Sequence, residues 1–141
     1  MKTIGAKRHQ IITRLNAQQP EETADAAVKL WQQMATEIIS IVGVSGFNSL
    51  YARSTSLAKP VFPWLSTHTL PAQNGDRFTE LKTRLEGQAP AQASEANCLL
   101  LITFTDILST LIGEQLTTRI LCSAWGVDAS TGLLRNSKNE Q

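Results

Sequence analysis

Residues 38–52, IISIVGVSGFNSLYA, contain no charged side chain. Wound as an α-helix, this stretch is apolar or small on every side, and a helix without a polar face must be covered by more than one neighbour. Upstream, Ala24, Val28, Trp31, Ala35, Ile38 and Val42 keep the three-four spacing of a helix packed on helices, while Lys29, Gln32, Gln33 and Glu37 fill the opposite face. Pro20 followed by Glu21, Glu22 and Asp25 makes a helix opening, because proline suits the first turn and carboxylates there complement the positive end of the dipole. Lys59-Pro60 closes the run. The pattern predicts one long helix over about 20–58.

Within it, Ser40, Gly43, Gly46 and Ser49 recur every three residues and lay a line of small side chains along the helix. Each glycine costs about 0.8–1 kcal/mol of helix propensity relative to alanine. Close approach of another backbone on that line would compensate, so the helix is expected to run through with a bend. A break between Gly43 and Gly46 is the competing reading.

A second long helix is predicted over about 90–125. Leu99, Leu100, Ile102, Phe104, Ile107, Leu108, Leu111, Ile112, Leu116, Ile120 and Leu121 leave it almost no polar face before Glu114, and Gly126 ends it. One narrow line differs: Thr103, Asp106, Thr110, Gly113 and Thr117 share a single face. Two shorter helices complete an all-α, up-and-down bundle. The first, about 3–17, carries Ile4, Ile11, Ile12 and Leu15 inward, with Lys2, Lys7, Arg8 and Arg14 read as a basic outer face. The other, about 76–86, carries Phe78, Leu81 and Leu85. Between them, Val61, Phe62, Trp64, Leu65 and Leu70 make the connection after Pro60 too apolar for a solvated linker, and Asn74-Gly75 ends it with a turn signal. The expectation is a single domain over 1–126 with a tail over 127–141.

Composition narrows the role more than it defines it. Charged residues make up 18% of the 141, below the roughly 25% usual for soluble domains, which favours oligomerisation. A net charge of +1 provides no field for nucleic acid or an anionic membrane. Cys98 and Cys122 would lie about 36 Å apart on one straight helix and read as packed thiols, so neither a disulfide nor a metal site is expected. The N-terminus lacks the apolar run of an export signal, and charges or polar groups interrupt each apolar stretch. A cytoplasmic protein without a membrane span is expected.

No phosphate loop, nucleophile elbow or paired zinc-ligand motif occurs, and His9 and His68 fall in separate segments, so a non-catalytic protein without cofactor is expected. Two polar constellations stand out. Asn48, Tyr51 and Arg53 sit beside Phe47 in an otherwise apolar run, and Asp106, Glu114 and Arg119 sit among leucines. Buried polar groups need partners, and Arg53 is the expected cation for one of the carboxylates, fixing helix register. A polar pocket for a small molecule is the alternative. A faint echo also joins Gly46, Leu50, Arg53 and Trp64 to Gly113, Leu116, Arg119 and Trp125, at unequal spacings.

With short helices covering the early halves of both long ones, the late halves, about 43–57 and 107–125, are expected to project and to be covered by a second copy. The candidate interface or pocket comprises Gly43, Gly46, Phe47, Asn48, Tyr51, Arg53, Trp64, Asp106, Thr110, Gly113, Glu114, Thr117 and Arg119. The role that follows is a regulatory or adaptor protein of bacterial signalling type, acting through helix-mediated contact as a homodimer or with a protein partner. A small-molecule sensor is the alternative.

Overall fold

A computed structural model of the chain describes residues 6–16, 23–65 and 78–127. Among these residues are five α-helices and no strand: α1 (Ala6–Asn16), α2 (Thr23–Ala58), α3 (Thr79–Glu86), α4 (Pro90–Ile112) and α5 (Glu114–Trp125), with a short 3-10 turn at Pro63–Leu65. The all-α class is as the periodicity predicts. Ile4, His68, the Asn74-Gly75 turn and the tail from 128 onward lie outside the described residues.

Neither long helix is continuous. Gly43, at φ 85° and ψ 165°, interrupts α2, and Gly113, at φ 100° and ψ 148°, separates α4 from α5. Backbone of this kind is open almost exclusively to glycine. The consequence at Gly43 is a fold-back. Trp31 and Tyr51 would stand about 30 Å apart along a straight helix, yet their ring centroids are 5.2 Å apart. The two arms of α2, 23–42 and 44–58, therefore form a helical hairpin. The second break does the same: Trp31 Nε1 donates to Asn97 on α4 (2.8 Å), and Trp125 Nε1 on α5 donates to the carbonyl of neighbouring Leu30 (2.9 Å). Asn97 and Trp125 are thus level with each other on opposite sides of Gly113.

Both hairpin tips lie at one end of the molecule. Phe104 sits 5.3 Å from Trp31 and 5.2 Å from Phe47, the ring one turn beyond Gly43. Moving from Trp31 toward Gly43 is therefore moving in the same direction as from Asn97 toward Gly113. Folding back answers the demand of the apolar 38–52 stretch, since each arm becomes the other's cover. Phe47, Leu50, Tyr51, Ser54 and Thr55 on the late arm are all buried. The expected projecting late halves are thus corrected, and a four-arm arrangement exists within one chain.

The centre is a cluster of five rings, Trp31, Phe47, Tyr51, Phe78 and Phe104, in edge-to-face, tilted and stacked pairs at 5.2–6.1 Å. Such pairs add roughly 0.5–1.5 kcal/mol each beyond their buried area. The short helices also depart from expectation. Each crosses to the other hairpin, α1 packing mainly on α4 and α3 mainly on α2. The sequence echo changes register accordingly, since the counterpart of Gly113 is Gly43 rather than Gly46.

Candidate functional site

The charged centre of the molecule is built on Arg8, expected on a basic outer face with Lys7 and Arg14, which is instead 2% exposed. Relative to Arg8, Ile11 and Ile12 fall three and four residues on, so the guanidinium leaves α1 from the middle of its apolar face. Ile11 and Ile12 dock that face in the core, and Arg8 is carried in with them.

There it meets three acceptors on two helices. Nε and Nη2 donate in parallel to Oε2 and Oε1 of Glu114, at 2.9 and 2.8 Å. Nη1 donates to Asp106 Oδ1 and to Thr105 Oγ1, both at 2.7 Å. Thr105 can accept because its own proton goes to the Leu101 carbonyl at 2.9 Å. His9 Nε2 lies 2.9 Å from the same Asp106 oxygen, and Thr118 Oγ1 donates to Glu114 at 3.1 Å.

Gly113 makes this convergence possible. Eight residues along an unbroken helix, Asp106 and Glu114 would be separated by about 12 Å of rise and would point in different directions. Turning the chain at Gly113 brings both to one guanidinium, and Glu114 becomes the first residue of α5, where its charge also suits the helix dipole.

Electrostatics follow the geometry. Burial works against the Arg8 charge, but the bonds from Glu114 and Asp106 outweigh it and hold the guanidinium protonated. The Arg8 hydrogen bond holds Glu114 below the usual carboxylate range, against a smaller burial effect. Burial would raise Asp106, but hydrogen bonds from His9 and Arg8 prevail and it too is lowered. Both carboxylates are held ionised. The arrangement is a clasp joining α1, α4 and α5.

The expected site residues are not gathered in one place. Phe47, Tyr51 and Thr117 are buried in the core, and burial is the main cause pushing the Tyr51 phenol upward. Arg53, Thr110 and Arg119 are exposed, while Asn48 is half-buried. Arg53 is therefore not the cation of the carboxylates, which is a correction: Arg8 takes that role. Trp64 packs on Phe62 at 5.7 Å, and its carbonyl accepts from Arg84 Nη1 at 3.1 Å. Gly43 and Gly113 form the hairpin tips, with Gly46 one turn behind. Of the four residues expected to form a pocket, Tyr51 is buried, Asn48 half-buried and Arg53 exposed, while Asp106 bonds to Arg8 and His9. Among the described residues no group of three or more His, Cys, Asp or Glu side chains is arranged to hold a metal ion.

At the tips the surface is apolar. Ile41 (49% exposed) and Val44 (50%) flank Gly43, and Leu111 (64%) and Leu116 (40%) flank Gly113. Among the described residues α4 alone is long and apolar enough to cross a membrane by length and composition, and its Leu100, Leu101, Phe104 and Leu108 are wholly buried in the core. Comparison with protein-family models, curated proteins and solved structures finds no match.

Proposed function

We propose that this protein is a non-catalytic regulatory or adaptor module that works through helix-mediated contact, as a homodimer joined through its hairpin tips. The observation that carries the reading is that four of the six exposed large apolar side chains among the described residues, Ile41, Val44, Leu111 and Leu116, flank the two glycine breaks at one end, the other two being Leu57 and Val61. Large apolar side chains exposed together at one end of a molecule favour an interaction site there. Glu114, the acidic residue at the tips, is already paired with Arg8, so a second copy meets no uncompensated charge there. A second copy presenting the same tips about a two-fold axis would make a self-complementary contact.

The core positions of Phe47 and Tyr51 and the exposed position of Arg53 weigh against the small-molecule sensor. The test is mass by light scattering at micromolar concentration. A dimer is expected for the native chain, and a monomer with unchanged helical circular dichroism for the double variant Ile41→Glu, Leu111→Glu. A native chain that is monomeric throughout overturns the proposal.

A further inference from the structure

The two halves of the chain correspond at an offset of seventy residues. Pro20 matches Pro90, and Gly43 matches Gly113 in both identity and backbone conformation. Buried positions coincide along the arms, where Trp31 pairs with Leu101, Ile38 with Leu108, Phe47 with Thr117, Leu50 with Ile120 and Tyr51 with Leu121. The exposed tip residues Ile41 and Leu111 also coincide.

Helical periodicity alone would align buried faces at several registers. It would not also align two glycines in a rarely populated conformation and two prolines. Packing gives an independent sign, because α1 crosses to α4 as α3 crosses to α2. Reciprocal exchange of this kind is the signature of a two-fold relation.

Against this background the two short-helix seats differ in one respect. At the position equivalent to Arg8 stands Phe78, also buried, and it contacts the rings of Trp31, Phe47 and Tyr51. The equivalents of Thr105, Asp106 and Glu114 are Ala35, Thr36 and Val44. Arg8 and its three acceptors thus have apolar or uncharged counterparts.

We infer that the chain is a tandem duplication of one helical unit that exchanges its short helices across an internal two-fold axis, and that the α1 seat has been remade as a polar clasp, leaving α1 the releasable short helix and α3 the fixed one. The groups that set the charge at the α1 seat are Arg8 and His9 on α1, Asp106 on α4 and Glu114 on α5. Arg14 on α1 and Arg119 on α5 are exposed. The α3 seat holds Phe78, Leu81 and Leu85, each 1% exposed. Of its ion pairs, Lys82 to Asp25 at 3.1 Å lies at the surface, where such pairs add little, while Arg84 to Glu80 at 2.7 Å and Lys82 to Glu86 at 4.0 Å lie within α3 itself and do not tie it to its seat.

The test transplants one seat onto the other in the full chain. Arg8→Phe alone strands two carboxylates and is expected to lower Tm by about 5–10 °C. Adding Thr105→Ala, Asp106→Thr and Glu114→Val is expected to recover at least half of that loss, or to restore helical circular dichroism should the single variant not fold. A quadruple variant no better than Arg8→Phe overturns the register and with it the duplication. Release is read separately, by hydrogen-exchange protection factors in the native chain. As pH falls from 7 to about 2.5, past the ordinary carboxylate range and through the lowered range in which Asp106 and Glu114 take up protons, protection over 6–16 is expected to collapse before protection over 79–86. Loss in parallel overturns the assignment of α1 as the releasable helix.

Discussion

Arg8 and Glu114, more than a hundred residues apart in sequence, meet through two parallel hydrogen bonds of 2.9 and 2.8 Å across the α4–α5 break. A fork-to-fork pair of this kind fixes direction as well as distance. Lysine keeps the charge but offers no planar fork. Arg8→Lys is therefore expected to destabilise the fold by about 1–2 kcal/mol, and Arg8→Met by about 2–4 kcal/mol. Both estimates fall below or within the 3–5 kcal/mol typical of breaking a fully buried pair, because Asp106 and Glu114 are partly solvated. Urea denaturation at pH 7 measures both.

The same clasp sets a pH dependence. Asp106 and Glu114 have folded-state pKa values below their ordinary ones. A depressed carboxylate contributes stability that is present above its unfolded pKa, about 4, and that is lost as pH falls through the folded value. Stability should thus be level in its carboxylate contribution from pH 7 to about 5 and decline below about 4. In the Asp106→Asn, Glu114→Gln variant this part of the decline should disappear. Urea midpoints measured from pH 7 to 2.5 decide it, and an unchanged slope in the variant would refute the assignment.

Much of the fold was legible because periodicity reports burial. The apolar rows of α2, α4 and α3 identified Trp31, Ile38, Phe78, Leu81 and Leu108 as core. Periodicity does not report chain reversal, however. Gly43 and Gly113 sit inside uninterrupted apolar patterns, so the pattern reads the same for a straight helix and for one folded back. Arg8 was misjudged for a different reason. Its charge outweighed its position, although a spacing of three and four to Ile11 and Ile12 already put it on the inner face. The need of Asp106 and Glu114 for a cation was legible from their leucine surroundings. Which cation answers it was not, since that depends on α1 crossing to α4.

The hairpin tips predict a contrast among three glycines. A Cβ at Gly43 or Gly113 would meet nothing within 4 Å, so any cost of alanine there is backbone strain, on the order of 1–3 kcal/mol. Gly46 is helical, and a Cβ there would come within 3.1 Å of the Val42 side chain. Its gain in helix propensity, about 1 kcal/mol, is offset by that contact. Thermal denaturation should rank Gly43→Ala and Gly113→Ala well below the native chain, with Gly46→Ala within about 1 kcal/mol of it. Equal effects at all three positions would contradict the breaks.

The indole pair that ties the hairpins together is the last test. Trp31 Nε1 donates to Asn97 Oδ1, and both residues are fully buried. Trp125 Nε1 donates to a backbone carbonyl of α2 and is 6% exposed. Asn97→Leu keeps the branched shape but leaves the Trp31 N–H without its acceptor in a dry site, a loss of about 1–3 kcal/mol. Trp125→Phe removes the donor instead and leaves a carbonyl near the edge of the core, so its cost from the lost hydrogen bond should be smaller, about 1 kcal/mol. Because α2 meets α4 through the first bond and α5 through the second, the two losses should add if the hairpin arms act as separate contacts. A double variant more stable than the sum of the singles would instead show that α4 and α5 engage α2 as one coupled surface, which urea denaturation of the four-member cycle measures directly.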